Sequence, residues 1–81
     1  MNHFSTNLKR LRDHHGISQE LAARRLDIKR SRYSGWESGA CEPGIDMLLA
    51  CCAMYRIGVG TMLTKDLAPL TKEDINKLLK P

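Results

Sequence analysis

Aromatic side chains are scarce, with one Phe, one Trp and two Tyr making up 5% of the 81 residues. A chain so poor in flat rings lacks the stacking platforms with which proteins hold single strands or RNA bases. Cysteine is sparse and odd in number. Cys41, Cys51 and Cys52 have neither C-x-x-C spacing nor a matching histidine set, so they read as reduced packing residues of a cytoplasmic protein, not as disulfides or metal ligands. No apolar run approaches the ~20 residues that span a bilayer, and no signal peptide is legible, so no membrane partner is expected. A Ser–His–Asp set, a phosphate loop and a supported carboxylate pair are missing, which argues against an enzyme. No cofactor or metal is expected either. His14 and His15 end a helical stretch, where positive charge suits the helix dipole, and together with His3 they want a fourth ligand.

What is present starts with size and charge. Eighty-one residues make one domain, near the small end of what folds on its own core. Lysine and arginine number 13 against 9 acidic residues, a net charge of +4 that permits a polyanion partner without requiring one. The organising stretch is QELAARRLDIKRSRYSGWE, from Gln19 to Glu37. Ala22, Ala23 and Leu26 fall on one side of a first helical pattern over 19–26. Tyr33 and Trp36 are the inward pair of a second pattern over 30–37, with Lys29, Arg30 and Arg32 left outside. Ala23 is small where two helices must cross closely, and Ile28 plugs the turn between them. This is the shape of a helix-turn-helix, whose second helix enters a DNA major groove.

The rest of the chain is placed around that pair. After a short arm, Met1 to His3, Phe4, Leu8 and Leu11 fall at i, i+4 and i+7, with Ser5 or Thr6 available as N-cap. Gly16 closes this helix and Gly39 closes the third, each as a residue able to take positive φ. Ser18 caps helix two. Pro43 stands at the entrance to helix four, GIDMLLACCAMYR, whose core side is expected to be Ile45, Leu48, Cys52 and Tyr55. Gly58 opens a brief fifth helix holding Val59, Met62 and Leu63. The expected architecture is all-α: five helices in residues 1–67, then a linker and a short C-terminal helix in residues 68–81.

The segments LKRLRDHHGISQ, LAARRLDIKRSRYSGWESG, EP, DMLLACC and VGTMLTKDL together resemble the Cro/cI-type helix-turn-helix family, also called XRE, of phage repressors and bacterial regulators. The resemblance covers about four-fifths of the chain, and the combination G-[IL]-[ST]-Q with W-E-x-G is its most specific part. Three residues depart from it: Ala22 stands in place of leucine, Asp27 in place of the turn glycine and Cys52 in place of alanine. Asp27 tolerates a left-handed backbone, so the turn is expected to survive. Tyr33 or Trp36 is expected to fill the space Ala22 leaves.

The resemblance implies a sequence-specific, double-stranded-DNA-binding transcriptional regulator, a repressor acting as a homodimer. It places Lys29, Arg30, Ser31 and Ser34 at base edges, with Arg30 suited to a bidentate contact with guanine O6 and N7. It gives Gln19 the role of a phosphate clamp that also braces the reading helix, and it pairs Arg12 with Glu37. Arg32, to one side, is expected to hold a phosphate, and Gly44 to offer backbone amides at the start of helix four. Gly35 contributes no base-reading side chain and is expected to let the backbone approach DNA closely.

Met47 to Tyr55 holds no charged residue at all. At about 100° per residue, Met47, Ala50 and Met54 lie away from the expected core stripe, a second apolar face that must be covered. One cover is the C-terminal segment, where a Thr71-x-x-Asp74 capping box precedes Ile75, Leu78 and Leu79. The other is a second copy, with Met47, Ala50, Met54, Ile75 and Leu78 as the dimer seam. The alternative from a different class is an antitoxin or protein-interaction adaptor of the same fold, whose partner, such as a toxin, binds this face.

Overall fold

Helix α1 spans Phe4–His15, and its start differs from the expectation. Neither Ser5 nor Thr6 caps it. His3 stands at the cap position without a side-chain bond to the helix, while Asn2 Oδ1 accepts the Phe4 N–H at 2.9 Å. The start is drawn forward because the His3 N–H donates to the Leu63 carbonyl at 2.8 Å, which ties the arm to the end of the domain. The computed structural model describes residues 2–81, so Met1 of the expected arm lies outside the described residues.

Five further helices follow: α2 Gln19–Arg25, α3 Arg30–Ser38, α4 Ile45–Tyr55, α5 Val59–Thr64 and α6 Lys72–Leu78. Their boundaries are set by the local signals. Gly16 and Gly39 take φ of 68° and 81° and end α1 and α3. The Ser18 hydroxyl accepts the Leu21 N–H at 3.0 Å at the start of α2. Asp27 takes φ of 58° in the turn of the helix-turn-helix, the left-handed backbone its short polar side chain tolerates. Arg56 takes the same φ after α4 with no such excuse of size, and the Ile57 N–H then reaches back to the Cys52 carbonyl at 3.0 Å. At α6 the Thr71 hydroxyl accepts from the Asp74 N–H at 3.1 Å and Asp74 Oδ2 accepts from the Thr71 N–H at 3.2 Å, closing the expected capping box.

α1 runs through the centre and packs on α3, α4 and α5, while α2 packs on α3. Leu8 and Leu11 of α1, Ala22 and Ala23 of α2, Tyr33 and Trp36 of α3 and Met62 of α5 are all buried. Each large apolar side chain so buried contributes about 1.5–3 kcal/mol. Tyr33 and Trp36 meet edge to face with centroids 6.1 Å apart, in the same buried cluster as the small Ala22.

Helix α4 corrects two expectations. Ile45 is not on the core side; it is 76% exposed, and Cys51 is buried beside Cys52 and Tyr55 instead. Ile45 lines up at spacings of four with Leu49, 49% exposed, and Ala53, so the outward apolar stripe is Ile45–Leu49–Ala53. Met47 and Met54 are half-buried and packed against the core, so the stripe assigned to the dimer seam is largely covered within the chain. Ile75 of that seam is fully buried and Leu78 half-buried against the same core. Helix α6 therefore spends its apolar face inside the monomer.

Candidate nucleic-acid interface

The site is built on the helix pair α2–α3. Burial of Tyr33 and Trp36 fixes the roll of α3, and with it the side that faces solvent. Lys29, Arg30, Ser31 and Arg32 are consecutive and all exposed, so the first turn of α3 presents three cations and a hydroxyl with no acid among them. Ser34, one turn on, is half-buried. The Arg32 guanidinium lies 5.4 Å from the Trp36 ring centroid, a cation–π contact that holds the side chain against the helix. Asp27, Ile28, Lys29, Ser31 and Arg32 line an open hollow of about 650 Å³ at the turn. Of the expected reading residues, Lys29 and Ser31 share this hollow with Arg32, Arg30 lines another with Glu20, Arg24 and Asp27, and Ser34 lies in a third with Gln19 and Glu37.

Behind that surface stands a polar brace. Arg12 Nε and Nη2 donate to the two carboxylate oxygens of Glu37 at 2.7 and 3.1 Å, and Nη1 donates to the Ile17 carbonyl at 2.9 Å. Gln19 Nε2 adds a third bond to Glu37 at 3.0 Å. Burial alone would push the Glu37 carboxyl up, but the bonds from Arg12 and Gln19 outweigh it and hold the group below its ordinary value. Glu37 in turn raises Arg12 further above its already high value, chiefly through their hydrogen bond. The end of α3 is thereby tied to α1 and to the start of α2. Gln19 thus reaches α3, the helix it was expected to brace.

Gly35 is corrected. A Cβ built there would come 2.7 Å from the Cys41 sulfur, and the Cys41 N–H donates to the Gly35 carbonyl at 3.3 Å. The missing side chain therefore makes room for the loop after α3, a packing reason that a reading of helix faces alone did not provide. Gly44 is the N-cap residue of α4 and is exposed, with Asp46 in the first turn.

Two residues escaped the sequence reading. Lys9 is exposed and lines a shallow hollow with Gln19, Ser34, Glu37 and Ser38, which puts a fourth cation beside the brace. The signal was there in its place on α1 one residue after Leu8, on the flank between core and solvent. The other is the Tyr33 hydroxyl, which meets the Tyr55 hydroxyl at 2.7 Å in the core and ties the buried face of α3 to α4. Burial and this bond push the Tyr33 phenol far above its usual range, and burial pushes Tyr55 up to about 12, so both stay neutral donors and acceptors.

A helix-turn-helix family model matches residues 8–60, most of the chain and the whole of the surface just described. The chain belongs to the XRE helix-turn-helix family. Among curated proteins it is 28% identical over 60 residues to the HTH-type transcriptional regulator YobD of Bacillus subtilis (strain 168), covering 74% of this chain and 54% of that one. The chain thus spans about half the length of that relative. Among solved structures it resembles a transcriptional regulator from Listeria innocua, with a TM-score of 0.73 at 21% identity, over 95% of this chain and 86% of the other. That likeness concerns the fold. DNA binding follows from the family, and no helix among the described residues is long and apolar enough to cross a membrane.

Proposed function

We propose that this XRE-family domain is a cytoplasmic repressor that reads double-stranded DNA in the major groove with α3. The observation that carries the proposal is the division of α3 into a face wholly sealed by Tyr33 and Trp36 and a face wholly open at Lys29, Arg30 and Ser31. Arg30 takes the bidentate base contact, with Lys29, Ser31 and Ser34 at neighbouring edges. Arg32, held on Trp36, takes a backbone phosphate, as do Gln19 and the amides after Gly44. Repression then follows from occupying the operator.

Arg30→Ala is expected to lose discrimination more than overall affinity, by about 1–3 kcal/mol against the preferred base. Duplexes selected from random sequence supply the specific site, and titration of specific and unrelated duplex at one salt concentration measures the split. Equal weakening on both would move Arg30 to the phosphate backbone.

The operator is two-fold and the protein a homodimer, but the seam differs from the methionine face. Ile45 and Leu49 are the exposed large apolar side chains among the described residues. On the same helix, Leu48 lines a hollow of about 120 Å³ with Phe4, Pro43 and Leu63 and with the polar Asn2, Ser5 and Glu42. A ridge next to a hollow is self-complementary under a two-fold axis, each copy seating its ridge on the other. A two-fold operator asks for two reading helices about 34–36 Å apart. Leu49→Lys is expected to give a folded monomer in sedimentation that binds a palindromic site weakly. A wild-type chain that stays monomeric at high concentration overturns the seam.

A further inference from the structure

We propose that the Asp27 carboxylate reads a cytosine amino group in the major groove, as a further specificity-determining residue of the reading surface. Asp27 stands in the turn between α2 and α3, is exposed, and takes φ of 58°. Glycine adopts that backbone freely, and aspartate offsets its cost by bonding its side chain to the local backbone. Here it does not. The Asp27 N–H donates to the Arg24 carbonyl at 3.1 Å, but the side chain supports nothing. The side-chain bonds nearby belong to Ser18, which accepts from the Leu21 N–H, and to Glu20, which accepts from Arg24 at 3.3 Å. Among the described residues the Asp27 carboxylate accepts no hydrogen bond and joins no ion pair. The fold gains nothing from its charge.

The side chain is placed instead among the residues that face DNA. It lines the hollow of about 650 Å³ with Lys29, Ser31 and Arg32, and a second hollow of about 280 Å³ with Glu20, Arg24 and Arg30. Asp27 and Ile28 are the residues common to both, and Asp27 is the charged one. The other acid, Glu20, is already taken by Arg24. An open carboxylate therefore stands between the two groups of cations that flank the first turn of α3.

Such a group is repelled by every phosphate, so it weakens binding to any sequence that offers it no donor. The major groove has two: adenine N6 and cytosine N4. Adenine N6 stands beside the N7 lone pair, which repels the second carboxylate oxygen. Cytosine N4 is flanked by a C–H. A group that only accepts thus selects cytosine. Given the major-groove reading proposed above, on which this role rests, Arg30 takes guanine O6 and N7. The cytosine paired with that guanine carries its amino group beside O6, within the same groove. Arg30 and Asp27, which share a hollow, divide the two bases of one G·C pair or of neighbouring pairs. Asp27 then acts twice, accepting from the right base and repelling the backbone where cytosine is missing.

Asp27→Gly makes the test, because glycine takes this φ freely and the variant is expected to keep its fold, which urea unfolding checks. A duplex selected by the wild type from random sequence is varied at each base pair in turn. Binding of every version, and of an unrelated duplex, is titrated at one salt concentration for both proteins. The wild type is expected to prefer cytosine at one position by about tenfold, the size of one base contact. In Asp27→Gly that preference falls to about twofold or less, the other positions keep theirs, and the unrelated duplex is bound severalfold more tightly. A variant that keeps every base preference overturns the proposal, whether it tightens all duplexes equally, as loss of a phosphate-repelling charge would, or changes none. Loss of a preference for another base alone overturns the assignment to cytosine. These results leave the role of Arg30 standing, since Arg30→Ala tests it on the same duplexes. A wild type that binds no duplex overturns both.

Discussion

Glu37→Ala is expected to destabilise the fold by about 3–5 kcal/mol, the usual result of removing one partner from a buried ion pair. The Glu37 side chain is only 3% exposed, and it receives both nitrogens of a forked guanidinium together with the Gln19 amide. Alanine strands Arg12 in a site built for a pair, which is far worse than never having placed a charge there. A domain of this length has about 4–12 kcal/mol of stability in total, so the variant should sit near the edge of unfolding. Urea unfolding of Glu37→Ala, Arg12→Leu and the double variant makes the measurement. The two single losses should exceed the double by well over 1 kcal/mol if the pair acts as a unit; simple additivity would mean that it does not. Glu37 titrates lower in the folded chain than in the unfolded one, so its stabilisation is present above about pH 4.3 and fades as the pH falls through the lowered value.

That pair was visible in the sequence only through family resemblance, and the reason is general to this fold. Signals that act over three or four residues were legible directly: Gly16 and Gly39 at helix ends, Ser18 as a cap, Thr71 with Asp74 as a box. So was the inward pair Tyr33 and Trp36, because two large rings one turn apart on a cationic helix leave one sensible orientation. The cationic first turn of α3 followed from that orientation. Helix α4 was not legible in the same way. Its run Met47 to Tyr55 is apolar on every side, so periodicity offers no polar face from which to infer the buried one. Ile45 was placed inward by spacing, and the structure turns it out with Leu49 and Ala53. The His15–Tyr55 stack, the tyrosine bond and the His14–Asn76 bond join α1, α3, α4 and α6 across 22 to 62 residues of sequence, and no local pattern announces contacts of that kind.

Asn7 is the extreme case of such a contact, and Asn7→Ala is expected to cost about 2–4 kcal/mol. It is the fully buried polar side chain of α1, where a helix pattern alone asks for an apolar residue. Its Nδ2 donates to the Met62 carbonyl at 2.8 Å and to the Lys65 carbonyl at 2.6 Å, and its Oδ1 accepts the Leu67 N–H at 3.1 Å. The carboxamide therefore caps the end of α5 from the other side of the domain, satisfying groups that the helix cannot satisfy itself. Alanine leaves those groups unpaired, at about 1–3 kcal/mol for each that stays dry. Water can reach the neighbourhood of Lys65, which is exposed, so the three losses do not all count in full. Asn7→Asp should be worse than alanine, because it keeps the bulk, turns two donors into an acceptor and points a carboxylate at two carbonyl oxygens. Raising the acidity should then narrow the gap, since a protonated carboxyl regains one donor. Urea unfolding of both variants at neutral and acid pH checks the order. A loss of about 0.5 kcal/mol or less for Asn7→Ala, the level of an ordinary surface change, would show that α5 holds its own end without α1.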